Sequence, residues 1–355
     1  MENRHMPHDL AQMQSVPLEG KIIMTQLRIR AWYDHFDGQV YVSFSGGKDS
    51  TVLKHIVDSM YDDVPAVFVN TGLEYPEIQQ FVRDIKAGKY DCFNSDVEIL
   101  RPEMRFDEVV KKYGYPAISK EISNCIYWAR RGNKTRLARI KGTLKKKDGT
   151  PSMFNCQKWQ YMLDAPFEVG SDCCKIMKKN PSKRYEKQTG RKPFIGMLAN
   201  ESLKRREAWM KTGCNAFNLK RPQSSPLAFW TEQDILHYIK KYEVPYCSVY
   251  GDIVIDNQSS GVIDGQINMI DYIGCHEEGD LLRTTKCDRT GCIFCMFGCH
   301  LEKEPNRFQR LKETHPRQYE YCIGGGEYSE DGKWQPSKQG LGLGKVLDYI
   351  GVKYE

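Results

Sequence analysis

Val40-Tyr41-Val42-Ser43-Phe44, followed at once by Ser45-Gly46-Gly47-Lys48-Asp49-Ser50, decides the fold. Val40, Val42 and Phe44 alternate with the period of a strand, and residues 51–60 return to helical spacing, so the stretch reads as strand, tight loop, helix. Two glycines let the backbone turn sharply and approach an anion. The helix N-terminus behind them presents unpaired N–H groups, and Lys48 adds a positive charge. A polyphosphate fits this loop. It is not a Walker loop, because G-x-x-x-x-G-K-[ST] separates its glycines by four residues and here they are adjacent.

Working outward, residues 22–36 carry Ile23, Leu27, Ile29, Trp32, Tyr33 and Phe36 at helical spacing, and Gly38 ends that pattern. Residues 1–18 are polar, contain Pro7 and Pro17, and read as a flexible arm. Downstream, the apolar run 66–69 ends in Asn70-Thr71-Gly72, a helix-like stretch covers 77–85, and a third run, 97–100, ends at Arg101-Pro102. Strands alternating with helices predict an α/β fold with a parallel sheet covered on both faces. Ligands of such sheets bind beyond the carboxyl ends of the strands, where the loops at Ser45 and Asn70 open. The pattern returns at 193–198 with a helix expected from Asn200. Residues 230–239 predict another helix, with Thr231 as N-cap and Asp234 completing a capping box. Beyond Tyr250 come Gly-rich turns, cysteines and Leu341-Gly342-Leu343-Gly344-Lys345. The expected organisation is a nucleotide-binding domain over 19–250, with a basic insertion at about 120–160, and a Cys-rich region over 251–355.

Composition narrows the class. The 355 residues are 40% hydrophobic and 28% charged, with a mean hydropathy of -0.60, which suits a packed core and no membrane span. The net charge of +6 is mild, but its distribution is uneven. Residues 120–147 hold Lys120, Arg130, Arg131, Lys134, Arg136, Arg139, Lys141, Lys145, Lys146 and Lys147 against one acid, Glu121, with Tyr127, Trp128 and Trp159 nearby. That composition suits a solvated helix face or a nucleic-acid surface, and charge does not choose between them.

Thirteen cysteines and an amino terminus without the apolar core of a secretory signal predict a reducing, cytoplasmic location. Cys173 and Cys174 are adjacent and are followed by Lys175, Lys178 and Pro181. Cys287, Cys292, Cys295 and Cys299 form a C-x4-C-x2-C-x3-C run, with Cys322 beyond it. Four thiolates suit Zn²⁺ or an iron–sulfur cluster. Spacing alone favours a local knuckle of the four in the run, whereas Cys92 and Cys247 fit as small core residues.

The loop at 45–50 resembles the signature of the PP-loop ATP pyrophosphatases, whose fold is a Rossmann-like sheet of the adenine nucleotide alpha hydrolase (HUP) type. Further segments are similar to the phosphoadenosine phosphosulfate (PAPS) reductase branch of that superfamily. They are residues 70–77 (Asn-Thr-Gly-Leu-Glu-Tyr-Pro-Glu), Gly196 with Glu201, Ser202 and Arg205, and the Pro-Leu…Trp-Thr…Asp-Ile motif at 226–235. The resemblance covers about residues 20–250. It implies that the loop amides with Ser45, Gly46, Gly47, Lys48, Asp49 and Ser50 hold the pyrophosphate end of ATP, and that Asp49 helps to place Mg²⁺. Gly196, Ser202 and Arg205 would form a second phosphate-binding stretch, while Val69, Asn70, Thr71 and Gly72 would border the nucleotide. Lys48, Asp49 and Arg205 are the implied catalytic set.

Cys-Cys-x-x-x-Lys-x-x-Pro followed by Cys-x-x-Cys is also similar to the [4Fe-4S] pattern of assimilatory adenylyl-sulfate reductases. It selects Cys173, Cys174, Cys292 and Cys295, with Cys287, Cys299 and Cys322 as alternates and Zn²⁺ as the alternative metal. Adjacent cysteines diverge too far to grip one ion easily, whereas a cube offers separate corners. Two departures from the reductase pattern matter. Gly46, Gly47 and Lys48 are intact where those reductases are degenerate, and the chain lacks their Glu-Cys-Gly-Leu-His tail. It looks more like the sulfur-inserting relatives, including the ATP pyrophosphatase component of DNA phosphorothioation systems and cluster-dependent tRNA thiolases. The expectation is cleavage of ATP to AMP and pyrophosphate by adenylylation of an acceptor, with a cluster in sulfur transfer. A nucleic acid could bind at 120–147, and a sulfur donor or redox protein is the expected partner. A sulfonucleotide reductase releasing sulfite, and a non-catalytic redox sensor, are the alternatives.

Overall fold

A computed structural model describes residues 4–256 and 280–355. The chain forms two compact units, the first from residues 1–70, 74–100 and 182–290 and the second from 71–73, 101–181 and 291–355. This division does not follow a boundary near 250, because the chain leaves and re-enters each unit.

In the first unit β1 (Val40–Phe44), β2 (Ala66–Val69), β3 (Val97–Leu100), β4 (Lys192–Ile195), β5 (Asn215–Ala216) and β6 (Gln223–Ser224) form one sheet in the order β3-β2-β1-β4-β6-β5. All pairings are parallel except β5 with β6; Val42 lies opposite Ala66 on one side and Phe194 on the other. The chain builds outward from β1 to β3 and then returns to β1's other side at β4. The loop after β1 therefore sits at the switch point of the sheet, where a parallel α/β sheet leaves a crevice. Val40, Val42, Phe44 and Phe68 point into the larger core, while the alternate residues Tyr41 and Val67 meet Tyr185 on the opposite face.

The helices of this unit are α1 (Pro7–Gln14), α2 (Leu18–His35), α3 (Lys48–Asp58), α4 (Pro76–Lys86), α8 (Asn180–Thr189, whose residues from 182 belong here), α9 (Leu203–Thr212) and α10 (Glu232–Lys241). Ile29 and Trp32 of α2, Val52 and Ile56 of α3, and Ile78 and Phe81 of α4 line the core. The amino-terminal arm read from sequence instead carries α1, which seats Leu10 in that core. The helix expected from Asn200 begins with a 3-10 turn at Ala199–Glu201; α9 follows because the Ser202 hydroxyl accepts from the Arg205 amide at 3.3 Å. At α10 the expected capping box is present, since Thr231 N donates to Asp234 Oδ2 at 2.6 Å and Asp234 N to Thr231 Oγ1 at 3.2 Å. Fully buried Lys21 of α2 donates to the same carboxylate at 2.7 Å. Strands β7 (Ile253–Ile255) and β8 (Leu282–Thr284) pair antiparallel and complete the unit.

The second unit is mainly helical: α5 (Phe106–Tyr113), α6 (Lys120–Arg130), α7 (Lys134–Ile140), α11 (Arg307–Thr314), α12 (Pro316–Ile323) and α13 (Leu343–Tyr349), with a small antiparallel pair, β9 (Glu327–Tyr328) and β10 (Trp334–Gln335). Val109, Ile126, Phe167, Met177, Phe308 and Val346 are among its buried residues. Two cations of the basic stretch serve the interior. Arg130 donates to the carbonyls of Met162, Leu163, Ala165 and Phe167 at 2.7 to 3.0 Å, and Arg139 pairs with Glu121 at 2.6 Å. Lys134, Lys141, Lys145, Lys146 and Lys147 are exposed, as is Trp128. Among the described residues no helix is long and apolar enough to cross a membrane.

Candidate functional site

The loop after β1 turns at Gly46, whose φ of 71° suits glycine, and Gly47 caps α3 from an extended conformation. Ser50, in the first turn of α3, ties the loop down. Its hydroxyl lies 2.9 Å from both Ser45 Oγ and the Gly47 carbonyl, and accepts from Ser45 N at 3.1 Å. Gly196, just beyond β4, packs against this turn so closely that a Cβ there would meet Ser50 N and Cα at 2.9 Å. Glycine at 196 is therefore a steric requirement of the loop.

A cavity of about 190 Å³ opens here, with Lys48, Asp49, Gly196, Arg205, Tyr250 and Arg289 among its walls. Its charges are held by protein groups. Lys48 Nζ meets Glu232 Oε1 at 2.7 Å and also donates to the Asp288 carbonyl, while its amide donates to the Tyr250 hydroxyl at 3.1 Å. Tyr250 in turn lies 2.8 Å from Thr290 Oγ1. Arg205 pairs with Glu201, and Arg289 reaches the other oxygen of that carboxylate at 3.4 Å. Asp49 presents a buried Oδ1 with no hydrogen-bond partner. Burial raises its pKa against the opposing pull of the Lys48 ammonium. An unpartnered carboxylate oxygen beside a lysine and two arginines is the donor chemistry expected of a residue that meets a hard cation carried with a polyphosphate.

In the second unit, Cys173 and Cys174 open a helix that runs through a π-helical turn, Lys175–Lys179, into α8. Cys292 and Cys295 lie on a tight turn closed by the Cys295 amide on the Cys292 carbonyl at 3.1 Å. All four line one small, nearly apolar cavity together with Leu73, Phe106 and Phe294. Cys173 donates to the Cys174 sulfur at 4.0 Å. That bond, reinforced by the ammonium groups of Lys120 and Lys178, pulls Cys174 down to about 5, whereas Cys173 is pushed up. Among the described residues no group of three or more Cys, His, Asp or Glu is arranged to hold a single metal ion.

The chain matches the phosphoadenosine phosphosulfate reductase domain over residues 39–136 and 141–296. It belongs to that family. Two uncharacterized proteins of Methanocaldococcus jannaschii are similar to it, one 34% identical over 91 residues and the other 38% identical over 90. Each match takes in 25% of this chain and 21% and 18% of the relatives, so the chain spans about a fifth of their length. A phosphoadenylyl-sulfate reductase from Candida auris, solved as a phosphate complex, aligns with 15% identity over 63% of this chain and 82% of its own, at a TM-score of 0.37.

Seen as a PAPS reductase family member, the chain brings Ser45, Gly47, Lys48, Asp49, Ser50, Gly196 and Arg205 to one cavity. Gly46 and Ser202 act one step back, through the turn and the α9 cap. Val69 ends the neighbouring strand β2 and Asn70 follows it, its amide donating to the Leu100 carbonyl at 2.9 Å, and neither lines that cavity. Thr71 and Gly72 fall in the second unit. Of the alternate cysteines, Cys287 lies in the first unit and donates to the Arg289 carbonyl. Cys299 and Cys322 are fully buried and absent from the sulfur-lined cavity; burial pushes Cys299 up to about 11 and Cys322 well above the ordinary thiol value. Sequence reasoning missed Tyr250, Arg289, Thr290 and Glu232. Arg289 and Thr290 stand inside the Cys287–Cys292 interval, which reads as ligand spacing and hides them.

Proposed function

We propose that this chain is an ATP-using enzyme that adenylylates an acceptor and supports sulfur transfer to it. The reading rests above all on one observation: Lys48, Asp49, Gly196 and Arg205, from three separate elements, share a cavity at the N-terminus of α3. Family membership adds a sulfur-related nucleotide-processing context. An acceptor oxygen attacks the α-phosphorus of ATP, a new P–O bond forms, and the bond to the bridging oxygen breaks. Pyrophosphate leaves with that electron pair. A hydrosulfide-level donor then displaces AMP, so the sequence of steps is redox-neutral. Lys48 leaves Glu232 for the departing pyrophosphate, the amides of the loop share its negative charge, and Arg205 holds the outer oxygens. Asp49, with its free oxygen, would orient Mg²⁺, which supplies charge neutralisation.

Cys173, Cys174, Cys292 and Cys295 would hold an iron–sulfur cluster, which would supply a route for sulfide-level sulfur. An all-thiol set lining one cavity fits that chemistry. A nucleic-acid acceptor is favoured by the exposed lysines at 134, 141 and 145–147, whose charge suits phosphates, and by half-exposed Trp128, whose ring could stack on a base. The test is pyrophosphate release from ATP by anaerobically prepared protein, with DNA, RNA or no acceptor. Release stimulated by one nucleic acid is expected. Sulfite release from a sulfonucleotide with thiol, and no pyrophosphate from ATP, would overturn the proposal in favour of a reductase.

A further inference from the structure

Glu201 is the feature of the cavity that the loop motif does not explain. Its carboxylate is largely buried, and it spans two guanidinium groups: one oxygen meets Arg205 Nη1 and the other Arg289 Nη1 at 3.4 Å. The same carboxylate also accepts from the Leu198 amide at 3.3 Å, which fixes it at the head of the 3-10 turn. Two guanidiniums converging on one carboxylate make a fork of the kind that binds a phosphoryl group with paired hydrogen bonds. Five N–H donors on each guanidinium exceed what one carboxylate accepts, and both side chains stay accessible, Arg289 at 55% and Arg205 at 41%. Both arginines line the cavity that also holds Lys48.

Arg289 is fixed by its neighbours. Asp288 before it accepts from Lys48 Nζ, and Thr290 after it bonds Tyr250, whose hydroxyl accepts from the Lys48 amide. The residues on either side of Arg289 thus both bear on the head of α3.

We propose that Arg289 is a phosphate-contacting residue of this site, gripping the β,γ end of the nucleotide together with Arg205, and that Glu201 keeps its place until the phosphates arrive. The inference rests on the nucleotide reading above. Arg289 lies outside the loop motif and supplies the second arm of a guanidinium fork on the leaving group. Thr290 and Asp288 position it and do not themselves carry charge to the phosphates.

Calorimetry on the full chain with pyrophosphate, ATP and AMP separates the possibilities. Arg289→Ala should weaken pyrophosphate and ATP roughly tenfold or more, the loss of one charged hydrogen-bonding group, and leave AMP unchanged. Arg289→Lys should restore part of the pyrophosphate affinity, since it keeps the charge and loses the fork. A merely structural role would move AMP and the melting temperature together with the other two ligands. Equal pyrophosphate affinity in Arg289→Ala and the unsubstituted chain overturns the assignment while leaving the nucleotide reading intact. Failure of the unsubstituted chain to bind pyrophosphate or ATP overturns both.

Discussion

Lys48 is 5% exposed, yet its ammonium is matched by Glu232 and by the Asp288 carbonyl. A cation prepaid with an internal partner is available to a ligand at small reorganisation cost, and its loss is felt chiefly when charge grows on the leaving group. Lys48→Ala is expected to lower pyrophosphate-releasing turnover about 100-fold, with iron and sulfide content unchanged. Asp49 makes a pH prediction. Burial raises its carboxyl pKa above the ordinary 3.8, so over the interval from 3.8 up to the raised value the folded chain holds more protons than the unfolded one. Stability contributed by this group therefore falls as pH rises through that interval and stays lower above it. Asp49→Asn should melt higher than the unsubstituted chain at neutral pH and lose that advantage in acid, as thermal melts across pH would show, while Mg²⁺-dependent turnover disappears. At this scale Lys48 and Asp49 were legible because a local motif carries them. Tyr250 and Thr290 were not, since each contributes one hydroxyl through a contact spanning about 40 or 200 residues.

The elements divide by whether their cause is local. β1 to β4 and α10 could be read from the chain, the strands from short apolar runs and α10 from a threonine set three residues before an aspartate. α1 could not, because a single buried leucine in a polar octapeptide leaves no period to detect. The basic stretch misled in part: Arg130 serves as a clasp for four carbonyls, and nothing in a run of cations marks one as interior. Lys21 is the same lesson in α2. Its buried bond to Asp234 joins two helices whose sequences are over 200 residues apart. Lys21→Met should destabilise the fold by about 3 to 5 kcal/mol, because the carboxylate stays buried without its cation. A urea midpoint measured on Lys21→Met and Asp234→Asn, singly and together, checks it, and the double change should cost less than the sum.

Across the whole molecule, the α/β class was legible, as was the turn between β1 and α3, whereas the grouping of distant segments into two compact units has no local signal, because compactness is a property of contacts and not of any boundary residue. The four cysteines come from two stretches more than 110 residues apart, yet line one cavity. Cys174→Ser and Cys292→Ser should each remove most of the iron and acid-labile sulfide, whereas Cys322→Ala should keep both, as elemental analysis of anaerobic preparations would show.

The interleaving of the two units has an evolutionary corollary. A polypeptide stopped at residue 250 would lose β8, Arg289 and Thr290, although all of these belong to the sheet unit. Neither half can be excised with one pair of cuts, so gene shuffling that trades contiguous cassettes would damage both at once. A rearrangement of chain segments in the sulfur-lined unit therefore falls on the unit that carries the loop after β1 as well.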